Sequence, residues 1–234
     1  NKIIIDSNGL NYQGEDDTWT VEYSTDGLSL AITYMDATQG WIPTTDDDVT
    51  DAPVAPPNEN GIFGFGLTTS AVGMTNLVSS SGVVASDVTA VGTGSWHPAA
   101  CEYGFDKGIF AYGEVNNVDA SKSNLVSNSG VVASDVTGVG TARWAPAACS
   151  YGEDKGIFGF GNGPVSVTNL VSNAGVVATD TTGVGTARKR LAACEYGEDK
   201  GIFGYGDVSS SVSMTNLVSN AGVVATDVTG VGTA

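Results

Sequence analysis

Gly-Ile-Phe occurs four times in this chain, beginning at Gly61, Gly108, Gly156 and Gly201, with periods of 47, 48 and 45 residues. A second landmark, Asn-Leu-Val, begins at Asn76, Asn124, Asn169 and Asn216. An aspartate follows each of these asparagines by 11 residues: Asp87, Asp135, Asp180 and Asp227. From each Asn to the next Gly-Ile-Phe is always 32 residues, whereas Gly-Ile-Phe to Asn takes 15, 16, 13 and 15. All length variation therefore falls in one stretch. Such periodicity demands a repeat architecture, because a unit this small cannot bury its own apolar face and must stack on its neighbours.

Each unit reads as four short strands. Ile62-Phe63-Gly64-Phe65-Gly66 is the first. Asn76-Leu77-Val78 and Val83-Val84-Ala85 follow, joined by Ser80-Ser81-Gly82, or by Asn173-Ala174-Gly175 and Asn220-Ala221-Gly222 in later copies. A glycine closing a three-residue loop suits the left-handed position there. Ala99-Ala100-Cys101-Glu102-Tyr103 is the fourth, ahead of a turn around Gly104–Lys107. No segment shows a helical period. The expected fold is all-β over 61–234, with four four-stranded units of β-propeller-blade size. The last copy reaches Ala234 before its fourth strand. A strand from residues 49–60, a continuing chain or another subunit would complete it, and the reading favours an incomplete ring.

Residues 1–48 read as a small separate β module. Ile3-Ile4-Ile5 runs through Asn8-Gly9 to Leu10 and Tyr12, as a hairpin would. Trp19, Val21 and Tyr23, then Leu28, Leu30, Ile32 and Tyr34, alternate with polar residues around Asp26-Gly27, predicting a second hairpin. Residues 49–60 follow as an acidic, proline-bearing linker, opening from Asp46-Asp47-Asp48 through Asp51 to Pro56-Pro57.

The net charge is −17, with 26 acidic and 9 basic residues, and residues 1–60 carry −11 of it. Binding to nucleic acid or anionic membrane depends on clustered Lys and Arg, so neither partner is expected. No run approaches the ~20 apolar residues of a membrane span. The first residue is Asn rather than Met, which predicts a processed or partial chain. His97 is the only histidine and has no visible acid and nucleophile partners, so no catalytic residue is expected and it reads as a loop residue. Cys101, Cys149 and Cys194 hold one equivalent position after Ala-Ala and read as reduced, buried small residues rather than metal ligands. Asp106-Lys107, Asp154-Lys155 and Asp199-Lys200 read as turn chemistry rather than a glycosidase acid pair. The Asp46–Asp51 cluster reads as solvated linker rather than a Ca²⁺ site, and no metal or cofactor is expected.

The repeat unit Leu191-Ala192-Ala193-Cys194-Glu195-Tyr196-Gly197-Glu198-Asp199-Lys200-Gly201-Ile202-Phe203-Gly204-Tyr205-Gly206 resembles a kelch-like blade. With Thr215 through Asp227, and with Tyr34-Met35-Asp36-Ala37-Thr38-Gln39-Gly40-Trp41, it is similar to repeats of virion structural proteins of marine tailed phages, tail-fibre-like and appendage proteins of cyanophages among them. The resemblance implies a non-enzymatic place on a virion, outside a cell, with other virion proteins as partners. Display of loops to a host glycan or receptor is the leading expectation. A capsid-decorating or scaffold protein binding only virion proteins is the alternative, and a secreted carbohydrate-processing enzyme is a remote one. A homo-oligomer is expected.

Recognition would fall on the stretch of varying length: Leu67–Gly73, Glu114–Lys122, Asn162–Ser166 and Asp207–Ser213. Binding residues concentrate on loops held by rigid scaffolds. The named candidates are Thr68, Thr69, Asn116, Asn117, Asp119, Lys122, Asn162, Asp207 and Ser209. Trp96 and Trp144, at equivalent positions, are either packed between units or aromatic contacts for a partner. Arg143 and Arg188-Lys189-Arg190 are the cationic spots nearby.

Overall fold

A computed structural model of the chain describes residues 3–15, 21–23, 30–44 and 60–234. Among them lie seventeen strands and no helix, so the protein is all-β. The chain divides into two compact units, Asn1–Pro57 and Asn58–Ala234. Trp19, the Asp26-Gly27 turn and the acidic linker up to residue 59 lie outside the described residues.

In the first unit, β1 (Ile3–Ile5) pairs antiparallel with β2 (Val21–Tyr23), and β3 (Ile32–Asp36) with β4 (Gly40–Pro43). Asn8 and Gly9 do form the expected turn, with φ of 54° and 80°. The strand that Ile3–Ile5 joins is nevertheless β2, not the segment around Leu10 and Tyr12. Tyr12 is drawn instead into the core, where its hydroxyl meets that of Tyr23 at 2.7 Å. Val21 and Tyr23 are buried around exposed Glu22, matching the period of two. Asp36 shapes the β3–β4 turn by accepting bonds from the amides of Thr38 and Gln39. Gly40 ends that turn with φ +68°, and a Cβ there would lie 1.7 Å from the Asn11 carbonyl oxygen. No other residue fits.

The second unit is a row of antiparallel sheets: β5 (Gly61–Leu67) with β6 (Ala71–Val78); β7 (Ala99–Tyr103), β8 (Lys107–Ala111) and β11 (Ser123–Val126); β12 (Ala147–Tyr151), β13 (Lys155–Gly159) and β14 (Thr168–Val171); β15 (Ala192–Tyr196), β16 (Lys200–Gly204) and β17 (Thr215–Val218). A small hairpin, β9 (Glu114–Val115) and β10 (Val118–Asp119), rises from the second sheet. The expected Val-Val-Ala strand is not continuous but meets its neighbour through isolated bridges, such as Val126 with Val132 and Ser123 with Val136. Its loop has the expected closing glycine in the left-handed region, at Gly82, Gly130, Gly175 and Gly222 with φ of 75–77°.

The sheets straddle the sequence repeat. Ala99–Tyr103 was expected to end the unit that starts at Gly61, yet β7 pairs with β8 of the next copy, Cys101 opposite Ile109. The cause is local. Gly104 and Phe105, with φ of 59° and 66°, make a tight turn that leaves β8 directly beside β7. Successive sheets then pack face to face, β7 against β12 and β13, and β12 against β15 and β16. Tyr103, Ile109, Tyr112, Phe158 and Val171 form the core of one interface, and Tyr151, Ile157, Phe160, Phe203 and Val218 that of the next.

Candidate functional site

The periodic Asn and Asp build the joints between sheets. Asn124, Asn169 and Asn216 each donate from Nδ2 to an alanine carbonyl and to the aspartate 11 residues on, Asp135, Asp180 and Asp227, at 2.8–2.9 Å for the carboxylates. Each carboxylate also accepts the backbone N–H of a threonine from the preceding connector: Thr93, Thr141 and Thr186 respectively. Burial raises the Asp135 carboxyl, but bonds from Asn124, Thr93 and Lys122 outweigh it and hold it down at about 2. Asp180 and Asp227 are lowered by the same balance.

A cation completes each joint. Arg143 is fully buried, bonds the Phe160 carbonyl, the Thr141 carbonyl and Asn169 Oδ1, and lies 3.9 Å from the centre of the Tyr112 ring. Arg188 repeats this with Tyr205, Thr186 and Asn216, over the Phe160 ring at 4.5 Å. At the equivalent position before the second sheet stands Ser95, whose hydroxyl reaches only the Tyr112 carbonyl. Lys122, just before β11, fills the remaining role, bonding Asn124 Oδ1 and Asp135 at 2.9 and 3.1 Å over the Phe65 ring.

The variable loops and the connectors between sheets interlock at one end. Gly113 donates to the Arg143 carbonyl and Glu114 to that of Trp96; Gly161 donates to Arg188, Asn162 to Trp144 and Asp207 to Lys189. The second and third loops are thus bonded to the connectors on both sides and the first and fourth to one connector each, which aligns the loops along one rim. A stack of rings and cations runs along this rim. The His97 imidazole lies between Trp96 and Trp144, with centroids 4.1 and 5.0 Å away and planes within 25°. Beyond Trp144 come Lys189 and Arg190, each 5.4 Å from its ring. Lys189 reaches Asn162 Oδ1 at 3.1 Å and Arg190 reaches Asp207 at 3.3 Å. Burial first, then the Arg190 charge, lowers His97, so the ring stays neutral near pH 7 and stacks without charge. Its Nδ1 is buried and has no hydrogen-bond partner.

The structure therefore gathers Trp96, Trp144, Asn162 and Asp207 into one surface. Asn116 and Asn117, with φ of 50° and 62°, form the exposed tip of β9–β10, and Asp119 and Ser209 are exposed on their loops. Thr68 and Thr69 sit at the tip of β5–β6. Lys122 lies in the joint between sheets rather than on the rim. From sequence, Glu114 falls within a recognition stretch and Lys189 and Arg190 within a cationic spot, none of them named as a contact, and His97 reads as a loop residue. The signal was in the register: His97, Ala145 and Arg190 are equivalent, and all take left-handed φ of 49–57°. That turn throws consecutive connectors onto the same rim.

The groups of His, Cys, Asp and Glu among the described residues include none arranged to hold a metal. Each Asp-Lys turn pair forms an ion pair, as Lys107 does with Asp106. Cys101, Cys149 and Cys194 are free thiols, and burial pushes Cys149 up to about 12. Cys194, expected to be buried, is exposed, on a strand whose other residues are also largely exposed. An apolar cleft of ≈ 790 Å³ lies between the first two sheets, walled by Ile62, Leu77, Cys101, Phe105 and Ile109. No family model matches the chain, and no curated protein is similar to it.

Proposed function

We propose that the protein is a non-enzymatic structural component of a tailed-phage virion, a fibre or appendage element whose blade-like, propeller-related repeats display a rim of variable loops. The rim contacts a host-surface glycan or receptor outside the cell. The observation that carries this reading is the division of labour within each repeat. One end of the sheets holds length-variable loops and an aromatic–cation stack, while the joints between sheets reuse one hydrogen-bond network.

Rigid joints keep the loops in register, and the stack offers edges of Trp96, His97 and Trp144 beside Glu114, Asn162 and Asp207. Aromatic rings with a polar rim suit sugars and protein surfaces alike, since their faces are apolar while the indole N–H can donate a hydrogen bond. A scaffold role among virion proteins alone is the second reading, favoured by the uncovered faces at both ends of the sheet row.

Replacing Val115–Ala120 with a Gly/Ser linker spares Glu114 and Lys122 and should leave the melting temperature nearly unchanged. Combined with Trp96→Ala, it should abolish binding on a glycan array or to host cells. Wild-type protein that binds neither, while still joining purified virion components, would move the function to scaffolding.

A further inference from the structure

The two later junctions between successive sheets share one full set of paired contacts, each with a projecting half and a receiving half, and the first junction shares the ring pair, a leucine over glycine and the threonine N–H bond. Cys101 Sγ lies 2.5 Å from where a Cβ of Gly156 would be, and Cys149 Sγ lies 2.6 Å from that of Gly201. Only glycine can receive a thiol that close. Tyr112 meets Phe158 edge-on at 5.4 Å, Phe160 meets Phe203 at 5.3 Å, and Phe65 meets Phe110 at 5.1 Å. Tyr103 and Leu125 close over Gly175, and Tyr151 and Leu170 over Gly222. Thr141 and Thr186 donate N–H and hydroxyl to the aspartates of the following sheet.

The two ends of the row hold one unused half each. On the first sheet the receiving groups are uncovered. Among the described residues, Gly61 has only Val78 near its Cβ position, and Gly82 has nothing within 4 Å. Phe63 is 65% exposed, although its equivalents Phe158 and Phe203 are 0% exposed. On the last sheet the projecting groups are uncovered: Cys194, Tyr196, Leu217, Thr233 and Tyr205, the last 44% exposed where Tyr112 is 1%. Among the described residues both halves stand open.

We propose that the two ends join head to tail between copies of this chain. Tyr205 of one copy stacks on Phe63 of another, Cys194 seats on Gly61, Tyr196 and Leu217 cover Gly82, and Thr233 caps Asp87. The occupant is a second copy because each open half is complementary to the half this chain presents at its opposite end, in a contact set it builds in full twice internally. Such a contact is heterologous, and it grows into a closed ring or an open filament according to the rotation per copy. The inference stands whether or not the virion reading holds.

Sedimentation velocity on the full chain over a concentration series tests it. The expected result is a mass that rises in steps of 23.7 kDa. Phe63→Asp and Tyr205→Asp each alter an exposed side chain, so both should fold, as circular dichroism would verify. Each alone should weaken association by ~30-fold or more, the loss typical of a central aromatic anchor. Mixed in equal amounts they should give a dimer and nothing larger, since only one intact pair of ends remains. Gly61→Cys should link to Cys194 of another copy under mild oxidation, and adding Cys194→Ser should remove the link. A chain that stays monomeric throughout and gives no such link overturns the proposal. So does a variant that still forms homodimers while the mixture forms none, because that marks a face-to-face contact.

Discussion

The joint between the first and second sheets differs from the two that follow, and the difference separates what the joint requires from how it is supplied. In the later joints one buried arginine, Arg143 or Arg188, bonds the asparagine of the next sheet, two backbone carbonyls and an aromatic face. In the first joint that side chain is split in two. Ser95 takes the carbonyl bond, and Lys122 takes the asparagine, the aspartate and the ring. The requirement is thus a cation at one point in space over an aromatic ring, not an arginine at one point in the chain. A buried Asn Oδ1 beside a carboxylate needs a donor, and leaving it unpaired costs more than the bond itself contributes.

The sharpest way to break this equivalence is Arg143→Met. It leaves Asn169 Oδ1 and the Phe160 carbonyl without their donor in a dry joint, and should cost about 3–5 kcal/mol of unfolding free energy in urea titration. A cost below ~1 kcal/mol would mean that the guanidinium merely fills space.

Acid acts on both kinds of joint. Asp135, Asp180 and Asp227 are all lowered in the folded protein, so their contribution is complete above the unfolded carboxyl value of ~3.9 and is lost as pH falls through the folded values, about 2 for Asp135. Stability should drop steeply between about pH 4 and pH 2. Asp135→Asn should remove roughly 2 kcal/mol of that pH dependence, and an unchanged pH profile in this variant would show that Asp135 is not coupled to folding.

The smallest effect is the most discriminating. Lys122→Met should cost about 1–2 kcal/mol, and adding Ser95→Arg should recover most of it by installing the later solution in the first joint. Ser95→Arg alone should fail to stabilise, because two cations would then compete for the Phe65 face. Simple additivity in this double-mutant cycle would show that Ser95 and Lys122 do not share one role.

Much of this was legible beforehand. The 11-residue Asn-to-Asp spacing corresponds to a hydrogen bond in every copy, including Asn76 to Asp87. The Gly-closed loops and the tight Asp-Lys turns also match their local signatures, since turn chemistry depends on residues two or three apart. The rim stack was not legible as a stack. Trp96 and Trp144 stood out, but His97 joins them through a left-handed φ that an imidazole carries only because the connector is bonded on both sides. Lys122 read as a loop residue because its partner position, Ser95, lies 27 residues earlier in the connector between sheets.

By itself the sequence determined that this chain is a row of β units, where their turns fall and where insertions are tolerated, because strand alternation and glycine-dependent turns are local consequences of covalent geometry. Only the tertiary structure decided which strands share a sheet, so that Ala99–Tyr103 belongs with the following Gly-Ile-Phe. Only it decided which side chain supplies each buried charge, and which faces are left without a neighbour. Those outcomes depend on distances between segments remote in the chain, where a lysine in one repeat and an arginine in another can serve equivalent asparagines.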